Sequence, residues 1–308
     1  MKKQLLIAAV AATMATVSIA DVSITGNAAM NYTNVDNDDG TGSNIFKHDV
    51  DLTVVGKNGD SSMTMTVSNE NQDDDNAYAN TNAALEVETV KISTKVSGIN
   101  LSMGQWVGSD SNLSDGGSSE THGRFSADTT INGVKVQFED QNASNASVTI
   151  SGTIAGAKIS HEVFQTSTET KISGDVVGIS VAYHGKDDDT NTSDMTAFEV
   201  SKEFNGVTAT YAQAEQDSAA GVAGTMDGDA FLDYTNQQKA VAFGVATSIA
   251  GNNVAVTRLT TNASTTAVDV DSTEVVITRP LASGATFEAT YTDTDSSTSL
   301  DLELAVKF

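Results

Sequence analysis

The sequence predicts an all-β chain folded as one antiparallel, up-and-down sheet. Three observations carry that prediction. Apolar residues recur at every second position in short segments from Asp21 onward, tight and long connections alternate between those segments, and the last segment alternates all the way to a terminal aromatic, Phe308. A period of two puts apolar side chains on one face of a strand and polar ones on the other.

Taken in order, the segments repeat the pattern. Met63, Met65 and Val67 alternate with Thr64, Thr66 and Ser68; Val134, Val136 and Phe138 alternate with Lys135, Gln137 and Glu139. Ile179, Val181 and Tyr183 do the same, as do Phe287, Ala289 and Tyr291, and helical spacing is sustained nowhere after Asp21. The tight connections are Lys57-Asn58-Gly59-Asp60, Ser97-Gly98, Asn132-Gly133, Ala155-Gly156, Val177-Gly178, Asn205-Gly206, Gly251-Asn252-Asn253 and Ser283-Gly284. These pairs read as hairpin turns, where Gly or Asn adopts positive φ. The other class is polar, often acidic and longer: Asp36 to Ser43, Asn71 to Asn82, Val107 to Gly123, Lys186 to Asp194 and Asp217 to Asn236.

Composition narrows the function classes. The chain has 308 residues, 16 Lys+Arg against 41 Asp+Glu, a formal charge of −25 and no cysteine. A nucleic-acid binder needs a basic stripe to neutralise phosphates, and none exists. Disulfide scaffolds and thiolate metal sites need cysteine. Helical membrane proteins need apolar stretches of about 20 residues, which the chain beyond Asp21 lacks.

The N-terminus reads as an export signal. Lys2 and Lys3 precede the apolar run Leu5 to Ala12, and small residues at Ser18 and Ala20 fit a cleavage site before Asp21. The expected organisation is a signal peptide over 1–20 and one β-barrel over 21–308, since no linker or shift in composition divides the remainder.

A soluble sandwich also alternates, but its connections usually include Greek-key crossings, whereas here short and long connections alternate as a meander requires. In hydrocarbon no backbone N–H can go unpaired, so a spanning sheet must close on itself, apolar outside and wet inside. The final strand, Leu300-Asp301-Leu302-Glu303-Leu304-Ala305-Val306-Lys307-Phe308, resembles the C-terminal signal that delivers outer-membrane proteins to the barrel-assembly machinery, with Leu304, Val306 and Phe308 on its outer face. The stretch Asp21 to Tyr32 resembles the first strand of alphaproteobacterial general porins. Eight tight turns with both termini on one side give 18 strands, while the resemblance implies 16, so the expectation is a transmembrane antiparallel barrel of 16–18 strands.

The resemblance also implies a constriction loop after strand five, which here is Val107 to Gly123. Its acids are Asp110, Asp115 and Glu120, and Gly116-Gly117 lets it bend. Read without the resemblance, the same stretch is a solvated surface loop. Family porins oppose such acids with basic wall residues. By alternation the inward candidates are Arg124, Lys91 and Lys95, with Lys47 and Lys135. Inward acids are more numerous: Asp49, Asp51, Glu86, Glu88, Glu139, Glu199, Glu203, Asp301 and Glu303. A lumen of negative sign concentrates cations.

Other constellations have plainer readings. The runs Asp73-Asp74-Asp75 and Asp187-Asp188-Asp189 lack the glycine-punctuated spacing of a calcium loop and read as exposed charge, or as bridges to lipopolysaccharide through divalent ions. His48, His122, His161 and His184 are scattered without metal-ligand spacing, and His48 and His161 fall on nominally lipid-facing positions. His122 with Ser118, Ser119 and Asp115 makes no nucleophile-elbow motif. Tyr32, Phe46, Phe138, Phe164, Tyr183, Tyr211 and Tyr291 are candidates for interfacial girdles.

The expected function is passive diffusion of small hydrophilic solutes and cations through an outer-membrane pore of a Gram-negative bacterium, with no enzyme activity and no cofactor. The resemblance implies a homotrimer among outer-membrane lipid and lipopolysaccharide. The rivals are a structural or adhesive barrel, a secreted acidic β-sheet protein without transport, and a barrel hydrolase.

Overall fold

The structure, a computed structural model, describes residues 21–72, 86–106, 122–141, 146–188, 193–218, 237–263 and 271–308. The proposed signal peptide and most of the long connections lie outside these residues.

The described residues form eighteen strands. The first six are β1 (Asp21–Asn37), β2 (Gly42–Asn58), β3 (Ser61–Gln72), β4 (Glu86–Val96), β5 (Ile99–Trp106) and β6 (His122–Ile131). β7 (Val134–Gln141), β8 (Ser147–Ile154), β9 (Ala157–Val163), β10 (Ser167–Val176), β11 (Ile179–Asp188) and β12 (Ser193–Phe204) follow. The series ends with β13 (Val207–Ser218), β14 (Gln237–Ile249), β15 (Asn252–Ala263), β16 (Asp271–Pro280), β17 (Ala285–Thr294) and β18 (Ser297–Lys307). Each strand pairs antiparallel with its sequence neighbours, and β1 pairs with both β2 and β18, so the sheet closes. Closure removes the edges that hydrocarbon would leave unsatisfied. The count of eighteen agrees with the turn arithmetic, not with the sixteen the resemblance implies.

One end of the barrel is built from hairpin turns. Six are two-residue loops in which both residues have positive φ, such as Asn132 (52°) and Gly133 (83°), or Asn205 (51°) and Gly206 (79°). This is the turn whose twist matches that of the flanking strands. The turn expected at Gly251-Asn252-Asn253 instead falls on Ala250-Gly251: Ile249 pairs with Asn252, and Asn252 and Asn253 belong to β15.

At the other end, lengths differ from expectation. β1 runs on through Asp36 and Asn37 and β2 starts at Gly42, so the first connection is only residues 38–41. Within it Asp39 Oδ1 accepts from Thr41 N at 2.9 Å and Thr41 Oγ1 at 2.6 Å. Residues 164–166 and 295–296 are also tight connections. The asymmetry between the two ends therefore rests on the longer connections after β3, β5 and β13.

The two faces differ in character along most of the wall. Ile92, Met103, Phe125, Phe138, Phe198, Phe243 and Leu304 are exposed on the outside, while Lys91, Arg124, Glu139 and Glu303 alternate with them on the inside. An ordinary soluble domain would not leave so much apolar surface uncovered. Aromatic contacts run along the outer face: Tyr32–Phe46 at 4.8 Å toward the loop end, and Phe198–Tyr211 at 5.6 Å and Tyr211–Phe243 at 4.9 Å near mid-strand. His161 has a simple setting in this frame. It shares a hydrogen bond of 2.9 Å with Thr170, which pairs with Gly185, and the Tyr183 hydroxyl lies over that same glycine. His161 thus sits at the height of an aromatic hydroxyl, where a polar group stays wet.

Candidate functional site

The lumen wall falls into three sectors, each readable from the inward residues of neighbouring strands. The first surrounds the strands that flank residues 107–121. Lys91 on β4 lies over the Trp106 ring at 4.6 Å, and Trp106, the last residue of β5, is buried. Lys91 pairs in the ladder with Gly104, whose φ is 148° and where a Cβ would stand 1.9 Å from the Val90 carbonyl. Only glycine permits that approach of β5 to β4.

Arg124 completes this sector. Its Nε donates to the Trp106 carbonyl at 3.0 Å, its NH1 donates to Glu139 Oε1 at 2.8 Å, and it is 5% exposed. It is therefore a clamp between β5, β6 and β7 whose charge is met by Glu139. The ladder continues down β7, where Gln137 donates to Glu139 at 3.3 Å and Lys135 donates to Gln137 at 2.7 Å. Lys95 also faces inward but sits beside the Ser97-Gly98 turn, four residues from Lys91 and toward the turn end. Asp110, Asp115 and Glu120 lie outside the described residues. His122 opens β6 opposite Trp106, while Ser118, Ser119 and Asp115 also lie outside them.

Sequence reasoning missed a compensated cluster on β9 to β11. Glu169, 3% exposed, contacts His184 Nε2 and lies 3.1 Å from Lys171 Nζ; Glu162 is its direct neighbour on β9. A signal did exist, because these residues share one parity across two hairpins.

The second sector is acidic. Glu274 on β16, Glu288 on β17, and Asp301 and Glu303 on β18 face inward, and Glu288 pairs directly with Glu303. Like charges directly opposite each other in a ladder are unfavourable. Three of these carboxylates, Glu288, Asp301 and Glu303, are held by neutral donors. Thr278 donates to Glu288 at 2.8 Å, Thr33 donates to Asp301, and the Asn31 amide, turned to donate, reaches Glu303 at 3.3 Å. β17 stands eight strands from β7 in a ring of eighteen, so these acids face the Arg124–Lys135 sector across the lumen. Of the acids expected inward, Glu88 is the exception to simple alternation. Thr66 pairs with Thr89 and Val67 with Val87, so Glu88 is the extra residue of a bulge.

The third sector is apolar. In the loop-end halves of β12 to β15, Met195, Ala197, Ala212, Ala214, Ala240 and Ala242 form one buried cluster with Leu259 against it.

At the turn end, Phe308 extends the last strand against β1. Gly26 N donates to the Phe308 carbonyl at 2.7 Å and Phe308 N donates to that of Gly26 at 3.0 Å. Val306 and Leu304 stay on the outer face with it, exposed among the lipid-side residues.

No family model and no curated protein matches this chain. Solved structures do. A BenF-like porin from Pseudomonas fluorescens Pf-5 superposes with a TM-score of 0.72 at 11% identity, covering 94% of this chain and 99% of that one. Pseudomonas aeruginosa OccK2 (OpdF) gives 0.70 at 10% identity, covering 94% and 98%. A mutant of the Rhodopseudomonas blastica porin gives 0.57 at 11%, covering 94% and 100%. At such identities the likeness establishes the fold: a closed, antiparallel, eighteen-stranded barrel of the porin type.

Proposed function

We propose that this chain is an outer-membrane channel of a Gram-negative bacterium through which small hydrophilic solutes and ions diffuse, and that it favours cations. The barrel supports the first part, because an apolar exterior around a ring of this size encloses a wet lumen. The porins it resembles in fold are named as such, and their names support the same reading.

The observation that carries the cation preference is the row of Glu274, Glu288, Asp301 and Glu303, the last three held by hydroxyl and amide donors. A carboxylate held by a neutral donor has no cation in that contact to offset it, whereas Glu139 and Glu169 are paired with Arg124, Lys171 and His184. Lysines on the facing wall bias where an anionic group travels without cancelling the acidic side. Asp110, Asp115 and Glu120 add to the same sign if residues 107–121 enter the pore, as the resemblance implies. We further infer a homotrimer among lipopolysaccharide, delivered by the barrel-assembly machinery through Leu304, Val306 and Phe308, and an affinity with the alphaproteobacterial type, which rests on Asp21 to Tyr32 alone.

Refolded Asp21–Phe308 in a planar bilayer tests the channel itself. Stepwise conductance from a heat-modifiable barrel supports the reading. A correctly folded barrel that never conducts favours the structural rival.

A further inference from the structure

The inner wall of β12 to β16 is hollowed at the turn end, where two adjoining rows of the ladder meet. One row runs Glu203, Thr208, Ala246, Ala255 and Val276, each opposite the next. The other, one step nearer the turns, runs Ser248, Asn253 and Thr278 and ends opposite Glu288. All of these positions share the inward parity. Because Ala246, Ala255 and Ser248 are small, the wall between Glu203 and Thr278 recedes into a cavity of about 480 Å³. That lies inside the range of roughly 300–1,000 Å³ for sites that hold small molecules. The floor, Ala246, Ala255 and Val276, is apolar, and Glu203 stands at one end. No Lys or Arg lines the cavity, and the neighbouring Lys202 lies on the opposite face, over the Phe204 ring at 4.8 Å. Along the turn side, Ser248 donates to Asn253 Oδ1 at 2.7 Å, which leaves the Asn253 N–H groups to donate and the Ser248 oxygen to accept. Thr278 donates to Glu288 at 2.8 Å and keeps its own oxygen open to a donor in the same way.

We propose, on the reading of the lumen as a wet channel, that this cavity binds a small hydroxylated ammonium compound the size of a single amino sugar. The ammonium sits on Glu203, where no cation of the cavity wall competes for the carboxylate. The ring lies on Ala246 and Ala255, and its hydroxyls exchange hydrogen bonds with Asn253 and Ser248. The sheet sets the size. Glu203 and Ser248 stand two strands apart, roughly 10 Å at about 4.8 Å per strand, and the glutamate side chain shortens that gap to about the width of one ring. The same layout discriminates against other solutes. An anion meets Glu203, with Glu288 behind Thr278, and finds no lysine or arginine to offset them. An amine with a bare hydrocarbon body satisfies Glu203 and the floor but makes none of the bonds that Asn253 and Ser248 offer. This part of the wall therefore selects among cations by their hydroxyl groups, which the sign of the lumen field alone does not do.

Alanine methyls report on the floor directly. In protein isolated from outer membranes, methyl-labelled at alanine and held in detergent, glucosamine is expected to shift the Ala246 and Ala255 signals. Its affinity should be about 1 mM, the scale for one exposed charge and a few hydrogen bonds, and Ala29 on β1 should stay still. Glucose, which lacks the ammonium, and cyclohexylamine, which lacks the hydroxyls, should each bind at least tenfold more weakly. Glu203→Gln should weaken glucosamine binding at least tenfold in a barrel that stays heat-modifiable, and Ala255→Leu, which fills the floor without touching a charge, should do likewise. Absence of binding in the millimolar range, shifts spread evenly over the lumen alanines, equal affinity for either control compound, or an unchanged affinity in either variant overturns the site. Binding is read at equilibrium and needs no current. A barrel that binds glucosamine but never conducts would defeat the channel reading alone, and one that conducts without binding it would defeat the site alone.

Discussion

Gly26 and Phe308 extend the β1–β18 seam of the barrel by exchanging two backbone hydrogen bonds, and the phenyl ring lies over the glycine so closely that a Cβ there would stand 2.4 Å from its Cζ. The last residue of the chain thus reaches past the end of β18 to pair with β1, and the missing side chain at position 26 makes room for its ring.

Gly26→Ala is therefore expected to lower stability in urea by about 1–3 kcal/mol, the usual range for overpacking. Measured again in a Phe308→Ala background, the cost should shrink, because the ring is gone. An equal cost in both backgrounds would place the strain at the Asp51 carbonyl, which lies 2.9 Å from the same point.

Val177 stands at φ 54° in the β10–β11 turn and is 91% exposed. A β-branched residue gains nothing there and strains the backbone. Val177→Asn should raise the unfolding free energy by about 1 kcal/mol, read from the midpoint of reversible urea unfolding in lipid. A loss of stability would mean that Val177 makes contacts in the membrane interface.

Arg124→Met removes the partner of Glu139 and the donor to the Trp106 carbonyl together. Breaking a buried pair on one side is expected to cost about 3 kcal/mol. The double variant with Glu139→Met should recover most of it. If the single variant is harmless, the pair is not the clamp between β5, β6 and β7.

Asp39 lies outside the spanning segments, and the hydroxyl of Thr41, then its backbone N–H, hold the carboxyl below its ordinary range. A lowered pKa means that the turn is tightened above the ordinary carboxylate pKa and loosens as pH falls through the depressed one. Thr41→Val should move the Asp39 titration upward by NMR. An unchanged titration would remove the hydroxyl as its cause.

Much of this fold was legible because strand parity is a strict period. The eight turns mark the hairpins, and their count yields the eighteen strands. One turn was misplaced because Gly251, Asn252 and Asn253 are all turn formers, and only the pairing of Ile249 with Asn252 decides among them. The wall was harder to read. Alternation puts Arg124 and Glu139 inside, but their contact is diagonal, with Arg124 opposite Gln141 and Ser126 opposite Glu139, and nothing local marks it. Glu169 and His184 meet for the same kind of reason. The buried alanines of β12 to β14 were invisible because small residues blur the apolar–polar contrast on which periodicity depends. The loop acids Asp110, Asp115 and Glu120 stay where the resemblance left them, as candidates.

The charge of the lumen is the central claim, and the reversal potential under a KCl gradient reads it most directly. Wild-type protein should reverse on the cation side, and Glu288→Gln with Glu303→Gln should move the potential toward zero while the conducting barrel survives. Reversal on the anion side, or a potential that ignores both substitutions, would contradict the assignment of the β16–β18 carboxylates as the groups that set the field.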